Sequence, residues 1–422
     1  MSAAQTYYEA TSKSLPEFPS LKGSKRADVC IVGAGFTGLG AALALAEKGY
    51  SVMVLEQNRV ASGASGVNGG QIHTGLRKDQ IYLERHFGRS EAWLLWELGQ
   101  AAVAELDARI KKHRIDAERV EGLIYADHRA RFVGDTHRYV DHLRERYAYD
   151  KVDKLSEGQI RALVKSTDYE GGMVDRGGGH LHPLKFARGL ARAAIKAGAQ
   201  IFEGTKALEI KNGRKARVVT EYGSVSADWI LVAGDALMKG LLPEADTRIL
   251  PIASTIGVTK PLGKKLKRYL NTPMAVADSR FVVDYFRATA DGRLLFGGGE
   301  SYSTTYVTDP ACMVRKAMRQ VFPALAETHF DFAWSGVVGV TQTRLPLVRR
   351  IAPNVLVAAG YSGQGVALAP FAGKVMAEAV AGSFERFDVL TRLPVPAFPG
   401  GTALRQPLLV LAMLWYALRD RL

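Results

Sequence analysis

Cysteine is nearly missing from this chain. Only Cys30 and Cys312 occur in 422 residues, so no disulfide framework can form and nothing argues for an oxidising compartment. Cys30 falls inside an apolar run and reads as a small core residue. No CxxC and no His/Cys cluster has metal-ligand spacing. His180 and His182 come nearest, and no metal is expected. Long hydrophobic runs are missing as well. The longest, Leu408–Leu418, has 11 residues, well short of the roughly 20 that cross a bilayer. The N-terminal stretch MSAAQTYYEATSKSLPEFPSLKG has no apolar signal-peptide core, so a cytoplasmic protein without a membrane-spanning helix is expected. The basic stretches RKARVV (214–219) and KKLKR (264–268) lack interleaved aromatics and match no nucleic-acid module, which leaves nucleic acid out of the expected partners. No internal repeat stands out.

What is present is the composition of a globular protein, 47% hydrophobic and 23% charged. The length calls for two domains. A net charge of +14 suits anionic ligands and surfaces. The C-terminal apolar stretch holds Trp415 and Tyr416 and is bracketed by Arg405, Arg419 and Arg421. Two readings of it stay open: a helix docked on the protein's own surface, and an interfacial helix in peripheral contact with a membrane.

The informative segment begins at Asp28. Val29–Val32 reads as a buried parallel strand. Gly33, Gly35 and Gly38 form a GxGxxG turn around Phe36 and Thr37, and Phe36–Lys48 has helical apolar spacing. Ser51–Leu55 is a second strand, ending at Glu56 and Gln57. This is a dinucleotide-binding βαβ unit with its acid placed for a ribose hydroxyl. One glycine allows the tight turn, one lets backbone meet pyrophosphate, and one lets the helix lie close to the strand. The unit does not by itself separate NAD from FAD. Residues 59–71 then read RVASGASGVNGGQ. Arg59, Ser62, Gly63, Ala64, Ser65, Asn68, Gly69, Gly70 and Gln71 make a small-residue loop in which backbone can wrap a ligand closely.

This loop resembles the R…SGASGxNGGQ segment of the D-amino-acid-oxidase, glycine-oxidase and sarcosine-oxidase superfamily of flavoproteins. Segments through 171–210, 227–236, 282–299, 334–346 and 360–382 continue the likeness over essentially the whole chain, nearest to the gamma-glutamylputrescine oxidase family. The resemblance implies an α/β fold: a glutathione-reductase-like Rossmann domain and a substrate domain on a mixed β-sheet. The FAD domain is expected at 1–89, 155–250 and 334–422, and the substrate domain at 90–154 and 251–333. FAD is expected without a covalent tether, since neither cysteine lies in the segment (336–342) where related sarcosine oxidases attach it. Further cofactor contacts are expected at Ala207, Ala233, Gly234 and the loop Gly360, Tyr361, Ser362, Gly363, Gln364 and Gly365. That loop opens a helix, Val366–Ala381, whose positive end would face the flavin, with Pro370 read as first-turn proline.

Amine oxidation over a flavin needs position, dryness and electrostatics more than acid–base groups. The candidates for the chemistry are His73, just past the NGGQ loop, and Tyr285 with Arg287, which share one strand face. Trp334 and Thr341, in the segment that crosses between domains, complete the set. Arg287 is read as the partner of a substrate carboxylate or amide oxygen. In the W-x-G-x-R-P segment of the superfamily's amino-acid oxidases an arginine clamps the α-carboxylate; here Val338 and Gly339 stand instead. An amine without an α-carboxylate, such as gamma-glutamylputrescine, suits that better, with imine and aldehyde as products and ammonia released. Electrons would pass to oxygen or another acceptor, in a monomer or small homo-oligomer. Two alternatives remain: an α-amino-acid or N-methyl-amino-acid oxidase, favoured if an arginine is supplied from elsewhere in the fold, and a non-catalytic flavoprotein docked through its tail.

Overall fold

The computed structural model describes residues 5–301 and 307–402. The C-terminal apolar stretch and its flanking arginines lie outside the described residues. Among those described, no helix is long and apolar enough to cross a membrane.

Two sheets organise the chain, with strands numbered in chain order. The first runs β16 (Leu347–Ala352), β17 (Val355–Ala359), β10 (Gly223–Val232), β1 (Gly23–Val32), β2 (Val52–Leu55) and β7 (Gln200–Phe202). A hairpin of β8 (Glu209–Lys211) and β9 (Ala216–Val219), turned at Asn212-Gly213, adds to β10. The strands β10, β1, β2 and β7 are parallel. Val29 and Ile31 of β1 enter one core cluster, and Cys30 and Val32 enter another. Both faces of this strand are therefore covered, which is why its sequence is an unbroken apolar run rather than an alternation.

The second sheet runs β15 (Phe330–Val340), β11 (Leu250–Thr259), β14 (Leu294–Ser301), β13 (Tyr285–Ala288), β12 (Ala275–Asp278), β4 (Val120–Asp127), β6 (Gly171–His180) and β3 (Gln71–Ile72), with β5 (Val152–Leu155) on β6. It is mixed: β4 and β12 are parallel, and the other pairs antiparallel. The expected boundary at 155 does not coincide with the division between sheets. β6 belongs to the second sheet, and β15 carries 334–340 into it. The helix Arg89–Lys112, expected with the substrate domain, packs against the helix Gly365–Val380 of the first unit.

The crossover helix Phe36–Ala46 lies directly on Gly365–Val380. A Cβ on Gly40 would fall 2.3 Å from the Pro370 carbonyl oxygen, and one on Gly373 would fall 2.1 Å from that of Thr37. Only glycine allows this approach, and it sets the two helix N-termini side by side. Pro370 stands in the second turn of its helix, not the first as the sequence suggested. The helix runs on to Val380 regardless, with Pro370 backbone seated on Gly40.

Candidate active site

The βαβ turn is built as its glycines require. Gly33 has φ 105°, and a Cβ there would lie 2.7 Å from the Ala233 carbonyl oxygen. Gly35 would meet the Ser65 hydroxyl at 2.8 Å, and Gly38 the Gly33 carbonyl oxygen at 1.9 Å. Gly38 thus serves helix–strand approach and is not part of the lining of the two adjoining cavities beside it. Glu56 directly follows β2, where Oε2 accepts from the Ala34 N–H at 2.9 Å and Oε1 from the Asn58 N–H at 2.9 Å. Burial raises its carboxyl above the ordinary range. Glu56, Gln57, Ser62, Gly63, Ala207 and Gly234 line a cavity of about 110 Å³. Lys206 and Lys239, which sequence reasoning did not single out, share it. Arg59 does not: it is half exposed and paired with Glu17 and Glu203 at 3.0 and 2.9 Å.

The 59–71 loop is held from within and from behind. Ser65 Oγ accepts from the Phe36 N–H at 2.8 Å. The Asn68 amide donates to Ala64 and Ser65 carbonyls and accepts from the Gly70 N–H. Behind the loop, the Tyr8 hydroxyl donates to the Asn68 carbonyl at 2.7 Å and Trp334 Nε1 donates to that of Val67 at 2.9 Å. Arg287 is 3% exposed. Its Nε donates to the Gly69 carbonyl at 3.0 Å, and Nη2 reaches the Tyr8 hydroxyl at 3.3 Å and the Leu181 carbonyl at 3.4 Å. Arg287 and Trp334 therefore grip the back of the loop and lie off the cavity. This corrects their expected roles as substrate partner and pocket wall.

In front of the loop is a larger cavity of about 230 Å³, which adjoins the first through Gly35, Ala64, Ser65, Ala233, Asp235 and Val337. At one end stand the N-termini of both packed helices. The Thr37 hydroxyl is bonded to that of Tyr361 at 2.8 Å. Gln364 caps the second helix with no side-chain bond to it, and its Oε1 is buried with no partner. Asp235, at φ 47°, accepts from the Gly360 N–H at 2.7 Å and the Gly339 N–H at 3.1 Å, tying the two sheets together beside the cavity. Burial raises its carboxyl. Thr341 lies behind this junction, with its hydroxyl donated to the Leu345 carbonyl at 2.7 Å. It shapes the Gly360–Gly365 loop and does not wall the cavity as expected.

At the other end His73 lines the cavity, with Nδ1 bonded to the Tyr125 hydroxyl at 2.8 Å. Burial, reinforced by Arg77, pushes His73 down to about 3, so its ring is neutral at ordinary pH. Tyr285 also reaches the cavity and stacks its ring over Gly69, where a Cβ would lie 2.4 Å away. Val337, Val338 and Val340 form an apolar wall. Among the described residues, four charged side chains line the cavity that sequence reasoning missed: Arg77, Asp235, Asp278 and Arg344. They arrive on loops and a strand end, where no motif announces them. Asp278 is paired with Arg280 and raised to about 6, chiefly by burial.

The donor set suits a dinucleotide lying through both cavities. Glycines clear its path, two helix N-termini face it, an acid waits at the ribose end, and the orphaned Gln364 oxygen is an acceptor for a ring N–H. A family model described as DAO, FAD dependent oxidoreductase, matches residues 28–379. The chain is 40% identical over 422 residues to "Probable oxidoreductase OrdL" of Rhizobium meliloti (strain 1021), covering 100% of this chain and 98% of that protein. It is 35% identical over 419 residues to "Gamma-glutamylputrescine oxidoreductase" of Escherichia coli (strain K12), covering 99% and 98%. Glycine oxidase from Geobacillus kaustophilus has the same fold, with a TM-score of 0.73 at 22% identity over 85% of this chain and 95% of that one.

Proposed function

Because the chain belongs to the DAO family of FAD-dependent oxidoreductases, we propose that it oxidises the terminal C–N bond of a primary amine of gamma-glutamylputrescine type. The amine carbon gives up a hydride and its nitrogen a proton; water then adds to the imine, leaving an aldehyde and ammonia. Bound FAD supplies the two-electron acceptor, and oxygen or another acceptor reoxidises it.

The observation that carries the amine reading is the wall Val337, Val338 and Val340, which offers no donor fork to a carboxylate beside the reacting carbon. The chain's residues have simple tasks. Gly33, Gly35 and the 62–71 loop would hold the pyrophosphate and ribityl chain. The amides opening Gly365–Val380 would favour negative charge on the flavin's pyrimidine edge. Neutral His73 and Tyr125 form a hydrogen-bonded pair at the far wall that adds no charge against an incoming amine. Tyr285 and the valines would keep water from the reacting carbon. The relative named gamma-glutamylputrescine oxidoreductase supports the substrate class and a place in polyamine catabolism. A cytoplasmic setting and a monomer or small homo-oligomer are part of the same reading.

A second reading, oxidation of an α-amino or N-methyl-amino acid, is favoured by Arg344 and Arg77 on the cavity. Product analysis separates the two. Gamma-glutamylputrescine should yield an aldehyde and one equivalent of ammonia; a 2-oxo acid or glyoxylate formed from amino acids, with gamma-glutamylputrescine inert, would support the second reading.

A further inference from the structure

Arg344 sits in the turn between β15 and β16 with φ 64°, and its N–H is bonded to the Thr341 carbonyl at 3.1 Å. A left-handed backbone is costly for a residue with a side chain, and glycine would occupy it freely. Strain of this kind, held at a cavity, is a signature of a side chain that is needed there. The guanidinium lies over the Phe281 ring, 5.3 Å from its centroid, and lines the larger cavity. Among the described residues no carboxylate pairs with it. Arg77 lines the same cavity, and burial, followed by the charge of Arg344 and Arg77 against the opposing pull of Asp79, lowers the Lys78 ammonium below the usual range. Gly339, by contrast, is bound to Asp235 and Ser362 at the glycine-loop end. The cation therefore stands six positions beyond Val338 and against Phe281 of the 279–284 loop.

We propose that Arg344, with Arg77 and Lys78 adding to its field, receives a carboxylate that the substrate carries several bonds away from the carbon being oxidised. The inference rests on the amine-oxidase reading and names the part of the cavity that selects among amines. A planar fork stacked on an aromatic ring presents paired donors to one carboxylate, which a lysine cannot reproduce. Phe281 fixes the plane of that fork. The Val338 wall and the Arg344 fork together reject an α-amino acid, whose carboxylate lies beside its reacting carbon, and accept a long amine with an anionic far end.

The test uses FAD-loaded enzyme with gamma-glutamylputrescine and with N-acetylputrescine, which keeps the amide and the amine but has no carboxylate. Arg344→Gln should raise KM for gamma-glutamylputrescine about 10–100-fold, as expected for one charged hydrogen-bonded contact. The kcat should stay within about threefold, and N-acetylputrescine should hardly change, so that the preference between the two disappears. Arg344→Lys should recover only part of the loss. Arg344→Gly relieves the left-handed backbone, so it should keep or raise the Tm while losing the same selectivity, which a merely structural residue would not do. Equal loss on both substrates, or a preference that survives all three variants, overturns the proposal. If the wild type oxidises neither substrate but does oxidise amino acids, the underlying amine reading has failed instead. Amino-acid turnover lost on Arg344→Gln would then assign the fork to an α-carboxylate and refute the remote one.

Discussion

Arg287→Met should loosen FAD without selectively weakening amine binding. Arg287 lies under the loop that would wrap the cofactor, and its best contact is the 3.0 Å bond from Nε to the Gly69 carbonyl. The bonds to Tyr8, Leu181 and Ala288 are 3.3–3.4 Å and weaker. One charged hydrogen bond contributes roughly 1.5–3 kcal/mol, and the carbonyls left behind are buried acceptors with a desolvation cost of their own. Methionine replaces most of the buried stem, so packing loss is small. Taking about 2–3 kcal/mol as the loss borne by the loop's wrapped conformation, FAD Kd should weaken by about 30–150-fold. Fluorescence titration of the apoprotein with FAD reads this directly, and melting curves with saturating FAD separate it from general destabilisation. Tyr8→Phe removes the neighbouring bond to Asn68 and should shift Kd the same way by a smaller amount. An FAD affinity within threefold of wild type, with a KM raised only for carboxylated amines, would place Arg287 in contact with substrate and not under the loop.

Three further outcomes follow from the site. With His73 held neutral down to about 3, no histidine titration should appear in kcat/KM; log kcat/KM should instead rise with slope near one between about pH 6 and 9 as the substrate ammonium loses its proton. A plateau with a midpoint near the ordinary histidine value, abolished in His73→Asn, would contradict that. Asp278 is raised to about 6 and Asp284 well above its usual range, both chiefly by burial, so the folded protein binds protons more tightly than the unfolded chain and stability falls as pH rises from about 4 through those raised values. Asp284→Asn should therefore gain on wild type by on the order of 1 kcal/mol between pH 5 and 8, seen as a growing Tm difference; a difference that shrinks with pH has the wrong sign for this account. Acid precipitation of the yellow protein should release all its flavin, because Cys30 is buried in β1 and Cys312 is exposed on the helix Pro310–Val321; colour kept in the pellet would mean a covalent link.

The first 71 residues were the most readable because their signals are local. In β1 and the helix Phe36–Ala46 the apolar run, the glycines and the acid lie within one supersecondary unit whose geometry each residue helps dictate. The second sheet was harder. β6 is the glycine-rich stretch GGMVDRGGGH, which carries little strand propensity. Its glycines serve close approach instead: a Cβ on Gly172 would lie 2.1 Å from the Tyr125 carbonyl oxygen. Strand period placed Tyr285 and Arg287 on one face, but it could not say what covers that face. Tyr285 meets the cavity, while Arg287, two residues on, meets Tyr8 from the other end of the chain. Asp235, Arg77, Asp278 and Arg344 come together from distant loops and strand ends, and no spacing in the sequence reports such a meeting. Val338 was read from sequence as the loss of an α-carboxylate clamp, and it lines the cavity beside Val337 and Val340.

In the proposed reading this cavity holds FAD and presents it to a primary amine with a distant carboxylate. Anaerobic titration of the purified yellow enzyme with gamma-glutamylputrescine, followed at the flavin absorbance, tests it most directly. Complete bleaching is expected at stoichiometric amine, with slower or weaker bleaching by putrescine, none by glycine, sarcosine or D-alanine, and return of the yellow colour when an electron acceptor is admitted. Bleaching by the α-amino acids while gamma-glutamylputrescine leaves the spectrum unchanged would contradict it.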